Sequence, residues 1–215
     1  MKQREERIHA ALKEKEILLG EVHHRVKNNL QIISSLLELQ SAKVTDPVAF
    51  ESLKDSQRRI RSMALIHQIL YQSQDVGHIN FENFLDGLVP TLISAYATDA
   101  DRVSLSVGAV DVRLPISAAI PCGLIVNELM SNALKHAFPG DRRGEINVNF
   151  LHQADNRVAL SISDDGIGIP EDLDIDQTET LGLQLVTLLT DQLGGSLTIH
   201  RSDPTSFLLE FPIER

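Results

Sequence analysis

The 215-residue sequence has one cysteine, a shortage of basic charge, and no apolar run of the roughly 18 to 20 residues that a membrane-spanning helix needs. Each absence excludes a class. A single thiol, Cys122, leaves no internal disulfide framework and no CxxC metal or redox pair, so a reducing, cytoplasmic setting is expected. Cys122 lies in an apolar stretch and reads as a buried small hydrophobe rather than a reactive thiol. A charged N-terminal stretch does not resemble a signal peptide, and no membrane segment is expected. Lys and Arg number 20 against 30 Asp and Glu, a net charge of -10, which opposes polyanion binding by the whole surface and argues against a nucleic-acid partner. No internal repeat or low-complexity tract occurs.

What is present suits a globular chain: 42% of residues are hydrophobic and 23% charged, enough for a sizeable core. The charge is unevenly placed. Met1 to Tyr71 holds 12 basic and 9 acidic residues, an excess of +3, whereas Gln72 to Arg215 holds 8 and 21, or -13. Two modules of different work are expected, over residues 1–75 and 76–215.

The first reads as a helical hairpin. Lys2 to about Gln40 contains good helix formers, no proline, and only Gly20. Leu19, Val22, Val26, Leu30, Ile33 and Leu37 draw one apolar stripe. Lys43 to Pro47 interrupts it, with Asp46 as cap and Pro47 at the first turn of a second helix. That helix gathers Phe50, Leu53, Ile60, Met63, Ala64, His67 and Leu70 on one side. A lone hairpin cannot cover both stripes, so a homodimer closing a four-helix bundle is expected.

Gln72 to Ile79 suits a linker, and mixed α/β signals follow it. Asn80 to Tyr96 is helical, with Pro90 expected to kink or break it. Arg102 to Val107 and Asp111 to Leu114 read as strands and Pro115 to Phe138 as a helix. Glu145 to Leu151 and Asn156 to Ser163 form a strand pair turning at Gln153 to Asp155. A helix over Leu181 to Leu193 precedes closing strands at Ser196 to His200 and Ser206 to Pro212. Helices against a mostly antiparallel sheet make an α/β sandwich.

On a helical wheel, His24 falls about 160° from the centre of the apolar stripe and faces solvent among Glu21, Arg25, Lys27, Asn28 and Asn29. A carboxylate beside an exposed imidazole can orient it and raise its nucleophilicity. Taken alone, a solvated face with an incidental histidine has the same spacing. The run Glu21-Val22-His23-His24-Arg25-Val26-Lys27-Asn28-Asn29-Leu30-Gln31, continuing to Leu37, resembles the phosphoacceptor box of the HisKA_2 sensor histidine kinases, relatives of the HWE group. Arg59 to His67 is similar to the second helix of that hairpin, and the resemblance extends from about Ile17 to the C-terminus. It implies that His24, not His23, receives the γ-phosphate of ATP, with Glu21 and Arg25 as its orienting neighbours.

Further motifs follow in order. Asn127-Glu128-Leu129-Met130-Ser131-Asn132-Ala133-Leu134-Lys135-His136 places Glu128 and Asn132 at i and i+4 on one helical face, and Asn132 beside Lys135. A carboxylate and an amide together can hold a hydrated Mg²⁺, and a nearby lysine can meet phosphate. The segment resembles the N box of the GHKL (Bergerat) ATP-binding fold. That resemblance implies Asn132 as Mg²⁺ ligand, Glu128 as candidate base or polarising group and as a further residue at the Mg²⁺, and Lys135 and His136 near the phosphates. Asp164-Asp165-Gly166-Ile167-Gly168 follows a predicted strand, and its glycines permit positive φ and close approach to a flat ligand. It is similar to the G1 box, which implies Asp164 on the adenine N6 amine, with Gly166 and Gly168 shaping the loop. Glu171 to Thr180 matches the place of a short ATP lid. Thr180-Leu181-Gly182-Leu183 opens a helix whose N–H groups can meet phosphate. It looks like a G2 box reduced to one central glycine, which implies Thr180, Gly182 and Leu183 at the nucleotide.

The resemblance implies an ATP- and Mg-dependent protein-histidine kinase core that passes phosphate to the receiver domain of a response regulator. Three other readings use parts of the same pattern. A GHKL ATPase would use Glu128 to activate water. A non-catalytic phosphotransfer protein would keep the hairpin and bind no ATP. A serine kinase acting on a sigma-factor antagonist would not need the hairpin.

Overall fold

The computed structural model describes residues 20–21, 25–72, 78–96, 102–109, 112–170, 181–202 and 204–213. The chain divides into two compact units, Met1–Gln74 and Asp75–Arg215.

In the first unit the backbone is helical at 20–21 and over 25–41, taken as α1, and again over Pro47–Gln72, α2. The expected helix before residue 20 and its residues 22–24 lie outside the described residues. The reversal forms as the sequence suggests: the Ala49 N–H donates to Asp46 Oδ1 at 2.8 Å, and Pro47 begins α2, where its missing N–H costs nothing. Between the helices runs a polar layer. Buried Gln57 donates through Nε2 to the Ser34 carbonyl at 3.2 Å and to Glu38 Oε2 at 3.3 Å. Arg61 adds a bond from Nε to Ser34 Oγ at 3.4 Å and an ion pair with Glu38 at 3.5 Å. The α1 stripe is only half covered: Val26, Leu30 and Leu37 are half-buried, whereas Ile33 and its neighbours Ile32, Leu36 and Leu39 are exposed. His67, on the expected apolar side of α2, is half-buried, and that burial lowers its pKa.

The second unit opens with β1 (His78–Asn80), so the stretch between the units is shorter than the linker expected from composition. Asn80 Oδ1 accepts the Asn83 N–H at 3.1 Å and starts α3 (Phe81–Tyr96). Pro90 does not break α3. It lies on an exposed side with Asp86, whose carbonyl loses the Pro90 donor where water can reach it. Then come β2 (Val103–Ala109), β3 (Arg113–Pro115), α4 (Ile116–Asn132), β4 (Gly144–His152), β5 (Arg157–Asp164), α5 (Leu181–Gln192), β6 (Ser196–His200) and β7 (Thr205–Pro212). The sequence anticipated an unbroken α-helix to Phe138, but Ala133–Ala137 forms a π-helical turn. β1 and β3 pair as a small antiparallel sheet that the sequence did not reveal.

The main sheet runs β2-β4-β5-β7-β6, parallel only between β2 and β4. Alternation puts Ile146, Val148 and Phe150 of β4, Val158, Leu160 and Ile162 of β5, and Phe207, Leu209 and Phe211 of β7 on the buried face. Register aligns Phe150, Leu160 and Leu209 across three strands, and Val148, Ile162 and Phe207 in the next row. α3 is tied to this face by aromatic contact: Phe81 lies 4.9 Å from Phe84 and 4.7 Å from Phe150, and Phe150 lies 6.4 Å from Phe211. α4 is buried on nearly all sides, including Ala119, Cys122, Ile125, Val126 and Met130. Burial raises the Cys122 thiol pKa strongly, as expected of a core cysteine.

Phe150 is fully buried and joins two ring contacts, so Phe150→Ala is expected to cost about 3–5 kcal/mol, read as a lower urea midpoint.

Candidate functional site

The inward positions of β5 run Val158, Leu160, Ile162 and then Asp164, so strand alternation carries a carboxylate onto the apolar face at the end of the sheet. Asp164 is only 7% exposed. Its register partners are Ile146 on β4 and Thr205 on β7. Burial pushes the Asp164 carboxyl above its ordinary range, helped by the Asp165 charge. The Gly166 N–H (3.0 Å to Oδ1), the Thr205 side chain and the Arg142 charge pull it back. Thr205 is buried and was not among the residues singled out from sequence. Its signal lay in the pairing of β7 with β5, which local patterns do not give.

Asp165 has a structural part. Its Oδ1 accepts the Glu145 N–H at 2.7 Å, and its own N–H donates to the Glu145 carbonyl at 3.3 Å, pinning the loop to the start of β4.

The glycines differ in purpose, which refines the sequence expectation. A Cβ on Gly166 would lie 2.6 Å from the Ala137 carbonyl oxygen and against the Ala137 side chain. Gly166 is therefore required by close approach to the end of the π-helical turn. Gly168 has φ +82, and a Cβ there would lie 3.0 Å from the Arg201 carbonyl. The Ile167 N–H donates to the Ala137 carbonyl at 3.0 Å, and the Ile169 N–H to that of Arg201 at 2.8 Å. Arg201 in turn donates to the Pro170 carbonyl at 3.0 Å. The loop after β5 is thus locked to the end of the π-helical turn on one side and to Arg201, just after β6, on the other.

On α4, Glu128 is 2% exposed and Asn132, one turn on, is half-buried. Asn127, also buried, donates from Nδ2 to Glu128 Oε1 at 3.3 Å, and its Oδ1 has no hydrogen-bond partner among the described residues. Lys135 and His136 are exposed in the π-helical turn, whose greater number of residues per turn changes their bearing relative to Asn132 from that of a regular helix. Oxygen donors from one carboxylate and one amide fit a hard divalent cation that keeps several waters. α5 packs on α4 and presents Gly182, buried, and Leu183, half-buried, in its first turn. The fold therefore brings the Glu128–Asn132 face, the Asp164–Gly168 loop and the start of α5 into one part of the second unit. Thr180 and the expected lid over 171–180 lie outside the described residues.

In the first unit, Glu21 and Arg25 bond each other: Arg25 Nη2 lies 2.5 Å and Nε 3.1 Å from Glu21 Oε1. Both are exposed, so this i,i+4 pair contributes little stability, and it occupies the carboxylate expected to orient the imidazole. His24 lies outside the described residues.

Comparison with known proteins gives a consistent set of relatives. The histidine kinase family HisKA_2 matches residues 21–96, thereby taking in β1 and α3. The family of histidine kinase-, DNA gyrase B- and HSP90-like ATPases, HATPase_c, matches residues 118–215. The chain is 33% identical over 209 residues to the sensor histidine kinase PdtaS of Mycobacterium tuberculosis, covering 95% of this chain and 41% of that protein. It is 31% identical to blue-light-activated histidine kinase 2 of Erythrobacter litoralis, covering 85% of this chain and 53% of that one. The chain thus spans about two fifths to one half of these curated relatives. The solved histidine kinase domain of the Erythrobacter litoralis EL346 blue-light-activated kinase superposes with a TM-score of 0.67 at 28% identity, covering 94% of this chain and 96% of that one.

Two outcomes test this geometry. Gly166→Ala is expected to unfold or displace the loop after β5, seen as a lower melting temperature and faster exchange of the Ile167 amide. An acid whose pKa is raised on folding stabilises the protein below its unfolded pKa, and that contribution is lost as pH rises through the folded value. Asp164→Asn is therefore expected to raise the melting temperature of the ligand-free protein at neutral pH, with the gain vanishing below about pH 3.9.

Proposed function

The chain belongs to the HisKA_2 histidine kinases with an attached HATPase_c region, and from that premise we propose that it is the catalytic core of a two-component sensor kinase, transferring the γ-phosphate of ATP to His24. The observation that supports this reading is the lock between Gly166–Ile167 and Ala137, which holds the loop after Asp164 against the π-helical turn that follows Glu128 and Asn132.

In this reading residues 1–75 form the dimerisation and phosphotransfer hairpin and 76–215 the ATP-binding domain. Asp164 accepts the adenine N6 amine, with Gly166 and Gly168 holding the loop in shape. Asn132 and Glu128 would hold a hydrated Mg²⁺, which would neutralise phosphate charge. Lys135, His136, Thr180, Gly182 and Leu183 serve the phosphates, the α5 N-terminus adding its dipole. Because backbone donors and an ion supply the positive charge, the acidic half can bind an anion without a basic patch.

The imidazole lone pair of His24 forms the N–P bond as the bond from the γ-phosphorus to the bridging oxygen breaks and ADP leaves. The proton on the other ring nitrogen is then shed. Positioning and charge neutralisation supply most of the rate, since a neutral imidazole needs no base to attack. In the second step a carboxylate oxygen on the receiver domain of a response regulator attacks the phosphorus, the N–P bond breaks, and the imidazole regains its proton. Arg25 and Glu21, one and three residues from the acceptor in the sequence, are themselves exposed, as an acceptor that both partners must reach requires.

A homodimer through α1 is supported by apolar side chains that the described residues of the first unit leave exposed: Ile32 is 59%, Leu36 55% and Leu39 65% exposed. Light scattering is expected to give twice 23.8 kDa, and a single unit at working concentration overturns the dimer.

The decisive assay is incubation with γ-labelled ATP. Acid-labile, base-stable label on the protein that disappears in His24→Ala supports the kinase. Free phosphate with unlabelled protein overturns it in favour of an ATPase. Asp164→Asn is expected to abolish ATP binding while His24→Ala leaves it unchanged.

A further inference from the structure

The segment between α4 and β4 carries an arginine pair, Arg142–Arg143, that no motif of the nucleotide site includes. Both side chains are exposed, yet they differ in what they do. Arg142 reaches across to the loop after β5, where Nη2 donates to the Asp165 carbonyl at 2.8 Å and to the Gly166 carbonyl at 3.2 Å. These are charge-assisted bonds to two consecutive peptide units.

The peptide bond is planar, so gripping its carbonyl end orients its amide end. The unit that begins at the Asp165 carbonyl ends at the Gly166 N–H, which donates to Asp164 Oδ1 at 3.0 Å. The unit that begins at the Gly166 carbonyl ends at the Ile167 N–H, which donates to the Ala137 carbonyl at 3.0 Å. One guanidinium thus holds the two planes whose far ends grip the Asp164 carboxylate and the end of the π-helical turn. Its charge also acts on Asp164 directly, favouring the ionised form.

Arg142 is itself anchored. Its N–H donates to the Pro139 carbonyl at 3.3 Å, the Arg102 guanidinium donates to the Gly140 carbonyl, and the Gly144 N–H donates to the Arg102 carbonyl at 3.1 Å. The segment 139–143 is therefore tied to the start of the β2–β4 pairing and serves as a rigid arm.

We propose that Arg142 is a positioning residue for base recognition: by clamping the Asp165 and Gly166 carbonyls it sets the orientation in which Asp164 accepts the exocyclic amine of adenine. The inference rests on the reading of this site as an ATP site.

The test measures direct binding of ATP and of inosine triphosphate, which carries an oxygen where adenine has the amine. Arg142→Met is expected to weaken ATP about tenfold and inosine triphosphate less than about threefold, so that the preference between them collapses. Arg142→Lys, which keeps a charged donor, is expected to restore much of that preference, and Arg143→Met to leave both affinities unchanged. Equal weakening of both nucleotides by Arg142→Met assigns the residue a general folding role and overturns the proposal. So does an equal effect of Arg143→Met, or unchanged binding in Arg142→Met. If Arg142→Met fails to fold, Arg142→Lys decides: a partial loss of preference at unchanged inosine triphosphate affinity supports the clamp, and no loss overturns it. Absence of ATP binding by the unmodified protein instead overturns the site reading and the inference with it.

Discussion

A carboxylate held on the apolar face of a core strand is the constraint on which the rest of the second unit depends. Asp164 occupies the position where alternation along β5 calls for another Val, Leu or Ile, and the cost of removing it from water has to be offset locally. Each neighbouring feature answers that demand. Gly166 brings its N–H onto the carboxylate while passing against Ala137, which no side chain would permit. Thr205 meets Asp164 from the adjacent strand, and Asp165 pins the start of β4. The result is a carboxylate fixed by the fold itself, so that under the proposed function little ordering remains to be done on binding.

The first unit follows a different logic. Its interior contains a hydrogen-bonded layer, Gln57 with Ser34 and Glu38 and Arg61 alongside, where a purely apolar seam would pack more strongly. Polar groups of this kind contribute register more than stability, because sliding one helix past the other strands Gln57. The apolar side chains displaced from that interior reappear on the outside of α1 as Ile32, Leu36 and Leu39. Register within a chain and adhesion between chains are thereby assigned to separate faces of one helix.

Much of the fold was legible because its signals are local. The β4–β5 hairpin and the β6 and β7 strands alternate cleanly, and Asp46–Pro47 marks a helix start without reference to anything distant. The N- and G1-box residues were singled out by their resemblance to a known family, since an i,i+4 polar face and a pair of glycines are commonplace taken alone. What remained hidden depends on partners far along the chain. Thr205 matters only because β7 lies beside β5, and β1 pairs with β3 across the whole of α3. The π-helical turn at Ala133–Ala137 has ordinary helix formers, and its Ala137 carbonyl finds the Ile167 amide only in the folded sheet. Pro90 erred in the opposite sense, since local propensity forbids what an exposed helix side tolerates. The roles of Gly166 and Arg142 were likewise unreadable, being set by contacts through space rather than by motif.

The single parallel pairing among the described residues, which begins with Val103 against Gly144, has a bearing on how the molecule is made. Antiparallel neighbours such as β6 and β7 close through short turns, but β2 and β4 can meet only after β3, α4 and the π-helical turn have been threaded between them. Closing that long loop is the entropically slow event in such a topology. Glu128 and Asn132 lie inside the loop, whereas Asp164 lies just beyond it, so the two parts of the proposed site come together only once that loop has closed. A chain emerging from the ribosome therefore carries Glu128, Asn132, Asp164 and Gly168 before Thr205 and β7, which complete the surroundings of Asp164, have been made.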